Sequence, residues 1–271
     1  IYNMDDSTLI KEHKLYEDRM PKLAFRDVEL IDTLSQRDIF NYLPGTKIES
    51  DEIYETLKRG QIPTLYYTEK NGTEESFKVL SGKKINLLHI ATHGFYWAPQ
   101  KTKKLDHFGF LQVSNSKNTQ EDQSLNHSGL LFSGANLTLS GKEVPAGIED
   151  GILTSKEISL LDLHGLDLVV MSACQTGLGD ITGEGVFGLQ RGFKKAGANT
   201  LVMSLWKVSD KATEIMMGQF YKNLIAGQNK QQAFLNAQLY LKNYSYNIDK
   251  DTVINFDDPK YWAAFIMLDS I

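Results

Sequence analysis

Short unbroken runs of apolar residues recur along this chain, separated by segments in which apolar positions return every three or four residues. The unbroken runs are Ile85-Asn86-Leu87-Leu88-His89-Ile90-Ala91, Leu166-Asp167-Leu168-Val169-Val170-Met171-Ser172-Ala173, Thr200 to Trp206 and Trp262 to Leu268. Each has the length and composition of a buried strand, and a weaker run from Pro63 to Thr68 is read the same way. Helical spacing is expected over Thr8 to Met20, Leu23 to Tyr42, Glu49 to Lys58, Glu74 to Leu80, Glu184 to Ala196, Asp210 to Ala226 and Lys230 to Tyr244. Thr154 followed by Glu157 is a capping-box pair that opens one more short helix. Strands alternating with helices in this way predict an α/β fold.

Between Phe95 and Asp150 the pattern dissolves into polar chain rich in Asn and Ser, relieved by apolar patches at Phe108 to Val113 and Gly129 to Phe132. A connection this long is either functional or a surface insertion without a role. Pro21 ends the polar leader, so the expected organisation is a leader or linker stump over residues 1–22 and one large domain over residues 23–271, with 95–150 as an insertion. The leader reads as the stump of a connection to a preceding region.

The chain has 271 residues, 41% apolar and 23% charged, enough to bury a large core. A formal charge of −5 gives no basic field for nucleic acid or an anionic membrane, and Lys101, Lys103 and Lys104 read as a solvated loop. No apolar stretch approaches the ~20 residues that cross a bilayer. A single cysteine rules out an internal disulfide, which suits a reducing, cytoplasmic setting. The sequons at Asn71 and Asn136 are then coincidental.

That cysteine, Cys174, stands where the Leu166 strand runs out into glycine-rich chain, and His93 stands just beyond the Ile85 strand in Thr92-His93-Gly94. The carboxyl ends of strands are where open α/β sheets hold their chemistry. A thiol with an ordinary pKa near 8.5 needs a neighbouring base to become a nucleophile at neutral pH, and His93 is placed to be one. The bland alternatives are a small buried hydrophobe for Cys174 and a core or loop histidine for His93. Gly183-Glu184-Gly185-Val186-Phe187-Gly188 satisfies a dinucleotide fingerprint, but nine residues separate it from the strand end, and Glu184 sets a carboxylate where a pyrophosphate would lie. The six histidines show no metal-ligand spacing, so neither a metal nor a cofactor is expected.

The phrases Leu88-His89-Ile90-Ala91-Thr92-His93-Gly94, Asp167 through Gly177, Gly183-Glu184-Gly185-Val186, Ala196-Gly197-Ala198 and Ser204-Leu205-Trp206-Lys207-Val208-Ser209-Asp210 resemble the CHAT domain, a caspase-like peptidase domain commonly fused to tetratricopeptide repeats. The likeness extends from Leu43-Pro44-Gly45-Thr46 to Tyr261-Trp262-Ala263-Ala264-Phe265. It implies a three-layer α/β/α sandwich with a mostly parallel central sheet. It also implies a cysteine endopeptidase acting on protein or peptide substrates, with Cys174 as nucleophile, His93 as catalytic histidine and the N–H groups of Gly94 and Cys174 as oxyanion hole. A regulatory tetratricopeptide-repeat or sensor region on the N-terminal side is the implied partner. Two departures stand out: Gln175 replaces the Glu that many such domains carry, and Ser172 occupies the place where metacaspases and clostripain have an aspartate. Ser172, Asp180 and Glu184 are therefore candidates for a substrate pocket; a basic preference would need a carboxylate such as Asp150, Asp180 or Glu184. Asp180 and Glu184 sit as readily at a helix N-terminus, the preferred reading. The rival function is a catalytically silent scaffold of the same fold, against which the presence of both Cys174 and His93 argues.

Overall fold

The computed structural model describes residues 3–21, 40–96, 125–172, 183–206, 208–247 and 253–269, with 183–187 as backbone. Its helices are α1 (Asp6–Lys14), α2 (Pro44–Arg59), α3 (Glu74–Lys78), α4 (Ala135–Leu139), α5 (Ser155–Ile158), α6 (Gly183–Lys195), α7 (Asp210–Ile225), α8 (Lys230–Lys242) and α9 (Pro259–Trp262). Its strands are β1 (Leu87–Ile90), β2 (Gly94–Tyr96), β3 (Ser128–Leu131), β4 (Ile152–Thr154), β5 (Leu168–Met171), β6 (Thr200–Ser204), β7 (Ser245–Asn247), β8 (Val253–Asn255) and β9 (Phe265–Leu268).

The central sheet has the order β1-β5-β6-β9, with β1, β5 and β6 parallel and β9 antiparallel at one side. Side chains of a strand alternate between faces, and the packing follows that period. Leu168, Val170 and Val202 join Ile53 of α2, Met216 and Phe220 of α7 and Phe234 of α8 in one core. Val169, Met171, Leu201 and Met203 join Phe77 of α3, Ile158 of α5 and Phe193 of α6 in another. One sheet between two helical layers is the α/β/α sandwich. Strand β5 is buried along its whole length, which is why it reads as a continuous apolar run. Burying each such side chain is worth about 1.5–3 kcal/mol, so β5 is held firmly in place.

A second, antiparallel sheet has the order β2-β3-β4. It corrects the expectation of patternless chain from Phe95 onward: strands of three or four residues are too short to show a period, and β3 is buried throughout. Gly129 in β3 is forced by contact, since a Cβ there would lie 2.3 Å from the Leu153 carbonyl and 2.6 Å from the Phe95 ring. The Phe108 to Val113 patch lies outside the described residues.

The strand expected over Pro63 to Thr68 does not form. Side-chain bonding to α2 captures this segment: the Tyr66 hydroxyl donates to Asp51 at 2.7 Å and lies 2.9 Å from Ser50 Oγ, and its ring stacks on Tyr54 at 4.8 Å. Tyrosine-rich sequence has strand propensity, but here tertiary contacts decide. A cavity of about 630 Å³, bordered by Tyr54, Tyr66, His89 and Phe132, lies between this segment, α2 and β1.

Most of the helix expected over Leu23 to Tyr42 falls outside the described residues, and Phe40 to Tyr42 are not helical. The helix expected over Thr8 to Met20 forms as α1, capped by Asp5, which accepts from the Thr8 amide. Met4 and Leu9 pack on Leu137 and Ile148. The capping box at Thr154 and Glu157 forms at the start of α5, each side chain accepting from the other residue's backbone N–H. The last apolar run divides, α9 turning through Trp262 before β9 begins at Phe265.

Candidate active site

Strands β1 and β5 run side by side in register, Ile90 opposite Met171, and the Ser172 amide donates to the Ile90 carbonyl at 3.0 Å. Their carboxyl ends therefore open on one edge of the sheet. From there β1 leads through Thr92, whose hydroxyl donates to the Leu131 carbonyl, to His93. The His93 carbonyl accepts from the Leu131 amide at 2.9 Å. With Gly94 opposite Leu130, this makes Gly94 a non-hydrogen-bonded pair of the antiparallel ladder, so its N–H turns away from β3.

The His93 ring is buried, packed against Phe40 with ring centroids 5.0 Å apart. Its Nε2 lies 2.9 Å from the Asn41 carbonyl oxygen. A carbonyl can only accept, so Nε2 carries the hydrogen, and in the neutral ring Nδ1 is the basic nitrogen. The tautomer is set by a main-chain group, and no carboxylate is needed for it. Sequence reading missed Asn41, because every residue carries a carbonyl. It also missed Asn136, whose side chain holds the Phe40 backbone at 3.0 Å and 2.9 Å.

Among the other predicted residues, Ser172 is buried, and its hydroxyl lies 3.4 Å from Nε2 of a second histidine, His89. His89 Nδ1 is 3.0 Å from the Tyr221 hydroxyl, and its Nε2 is 3.2 Å from Glu49. Burial, helped by Glu49, holds the Tyr221 hydroxyl well above the ordinary tyrosine range, so it stays a donor. Asp150 is also buried, its carboxylate accepting from the Ile152 amide at 2.8 Å. Glu184 is the second residue of α6, described as backbone; Cys174 and Asp180 lie outside the described residues.

Beneath the small sheet, Lys78 of α3 is buried with Nζ 2.6 Å from Glu74, 2.9 Å from Glu149 and 3.0 Å from Glu157. Burial alone would depress the ammonium, but the three acids overcome it and hold Lys78 above the ordinary lysine range. Burial, with Glu149, Asp150 and Glu157 adding to it, pushes the Glu74 carboxyl well up against the pull of Lys78. Three carboxylates converge here as they would on a metal ion, yet the protein's own cation fills the position. Among the described residues, no helix is long and apolar enough to cross a membrane.

A mostly parallel sheet between helical layers, with a buried histidine just past the carboxyl end of one strand, defines an α/β fold of the caspase-like kind. The chain belongs to the CHAT domain family, whose model matches residues 3–270. It is also similar to human Tetratricopeptide repeat protein 28, 28% identical over 123 residues, which is 45% of this chain and 5% of that protein. The Mus musculus protein of the same name is 30% identical over 112 residues, 41% of this chain and 4% of its own length. The chain thus matches a small fraction of those much longer relatives.

Proposed function

We propose that this chain is a cysteine endopeptidase domain in which Cys174 is the nucleophile and His93 its acid–base partner. The observation that carries the reading is the β1–β5 register. Ile90 faces Met171 on neighbouring parallel strands, which run about 4.8 Å apart, and in the sequence His93 and Cys174 each come three residues after those partners. The single cysteine of the chain thus follows β5 in the sequence as His93, tethered to the Asn41 carbonyl, follows β1.

In the reaction His93 Nδ1 takes the thiol proton while Nε2–H remains on the Asn41 carbonyl. The thiolate attacks the scissile carbonyl, and the oxyanion that forms is held by the N–H groups of Gly94 and Cys174. Loss of one such donor typically costs about 3 kcal/mol of transition-state stabilisation. The tetrahedral species collapses as the C–N bond breaks, and His93 gives its proton to the leaving amine. Water then adds to the thioester, His93 taking its proton, to release the acid and restore the thiol. Substrates are proteins or peptides; Ser172, Asp180 and Glu184 are proposed near the pocket.

Residues 1–22 are assigned as the leader joining an N-terminal tetratricopeptide-repeat or sensor region, 23–271 as the peptidase unit and 95–150 as its insertion. The names of the relatives support that partnership, and the lone thiol suits the cytoplasm. The test is a mixed peptide library digested by wild type and Cys174→Ala, with cleaved bonds identified by mass spectrometry. Cleavage lost in the variant is the expected result. Wild-type silence together with an inert Cys174 would leave the scaffold as the function.

A further inference from the structure

Asn136, on α4, is buried and yet makes three side-chain hydrogen bonds. Its Oδ1 accepts from the Phe40 N–H at 3.0 Å, and its Nδ2 donates to the Phe40 carbonyl at 2.9 Å. The same Nδ2 donates to Asn3 Oδ1 of the leader at 3.0 Å. A buried amide without partners is costly, so this one persists only while Phe40 is held against it. An amide that grips both the N–H and the C=O of one residue fixes the peptide units on both sides of it much as a neighbouring strand would. The next carbonyl along, that of Asn41, is the acceptor for His93. Both Asn41 and Tyr42 have exposed side chains, so burial of Phe40 and its grip by Asn136 are what aim that carbonyl.

Support for α4 comes from two sides. The Thr138 hydroxyl donates to the Asp150 carbonyl at 2.9 Å, and Leu137 packs on Met4 and Leu9 of the leader. Asn136 therefore stands where the leader, the small sheet and the histidine tether meet.

We propose that Asn136 is a positioning residue that sets His93 through the Phe40–Asn41 backbone, and that the leader reaches the same point through Asn3. The proposal deepens the reading of His93 as partner of Cys174 and rests on it. Loss of the clamp frees the Asn41 carbonyl to swing away, and Nε2–H loses the acceptor that selects the tautomer with a basic Nδ1. An event that lifts the leader from α4 acts on the same bond.

The experiment uses the full chain with 15N-labelled histidine, His93 being assigned by comparison with His93→Gln. Nitrogen shifts report the tautomer directly, and alkylation of Cys174 by iodoacetamide across a pH series reports the thiolate. Asn136→Leu keeps the volume and removes all three bonds; Asn136→Asp keeps the acceptor for the Phe40 amide and removes the donor to its carbonyl. In wild type His93 is expected as the Nε2–H tautomer. In a folded Asn136 variant the tautomers mix, and Cys174 alkylation slows at least fivefold with its pH profile shifted upward. Added to His93→Ala, either Asn136 change has no further effect on alkylation. Asn3→Ala, an exposed change, shifts His93 in the same direction by less. An unchanged His93 spectrum in a folded Asn136→Leu, or in Asn136→Asp where the leucine variant does not fold, overturns the proposal. An unchanged spectrum in Asn3→Ala overturns the leader's part. Alkylation that is indifferent to His93→Ala would instead sink the Cys–His pairing, while the His93 spectrum would still decide whether Asn136 positions the ring.

Discussion

Replacing Lys78 by Met keeps an unbranched side chain of similar length and removes the one cation that three glutamates share. Lys78 and Glu74 have side chains only 2% and 1% exposed and Glu157 is 5% exposed, so solvent reaches only Glu149, which is 21% exposed. The carboxylate oxygens lie within 4.8 Å of one another. At an effective dielectric constant of about 20, two such charges left facing each other repel by about 3.5 kcal/mol. The alternative is to bind a proton, which at about pH 7 costs a glutamate of ordinary pKa near 4.3 about 3.7 kcal/mol. Either route gives a loss of about 4 kcal/mol, within the range measured when one partner of a buried pair is removed. The Lys78 contribution, with its pKa raised on folding, is fully present below the unfolded value near 10.4. The pH dependence of the variant therefore comes from the acids left behind, and the loss shrinks as they protonate, to about 1 kcal/mol near pH 4.5. Urea titrations followed by tryptophan fluorescence at several pH values measure it. A loss under about 1 kcal/mol near pH 7, or one independent of pH, would refute the reasoning.

Glu74→Gln acts in the opposite sense. A carboxyl whose pKa rises on folding contributes stability that is present below the unfolded value and lost as pH climbs through the folded one, so the variant should gain on wild type from about pH 4.5 to 7. Thermal melts across that range check it; a constant difference would contradict the cause given. Gly129→Ala drives a Cβ into the Leu153 carbonyl and should cost about 3 kcal/mol, and under the proposed peptidase function cleavage should slow with it because β3 carries the β2 strand of Gly94. Wild-type stability in that variant would rule out the close approach. Thr154→Ala removes one half of the capping box and should cost about 1 kcal/mol by chemical denaturation, with no cost expected if the α5 start is held by packing alone.

What the sequence made legible follows from burial. Strands β1, β5 and β6 are the parallel strands of the central sheet, and runs such as Leu168-Val169-Val170-Met171 stand out without any alternation to decipher. The capping box at Thr154 was equally legible, being a purely local device. The small sheet was not, because its strands hold three or four residues, and β2 and β3 pair across residues 97–127 of intervening chain. Pro63 to Thr68 misled for a different reason: its tyrosines look like strand residues until Tyr66 is seen bonded to Asp51 and stacked on Tyr54. Glu74 and Lys78 carry the spacing of a solvent-facing helix pair, and only tertiary structure buries them. At the candidate site, His93 and Cys174 are proposed from strand ends, small neighbours and the family resemblance. The tether on His93 was invisible, since it is a backbone carbonyl brought from 52 residues away by an asparagine 96 residues from Phe40.

The central claim is that Cys174 and His93 act as a pair, and the most direct measurement is the rate of Cys174 alkylation against pH in wild type and His93→Ala. The account predicts a wild-type inflection well below the ordinary thiol value near 8.5, moving up to about that value when the imidazole is removed. Identical profiles in the two proteins, or a thiol unreactive in both, would contradict it.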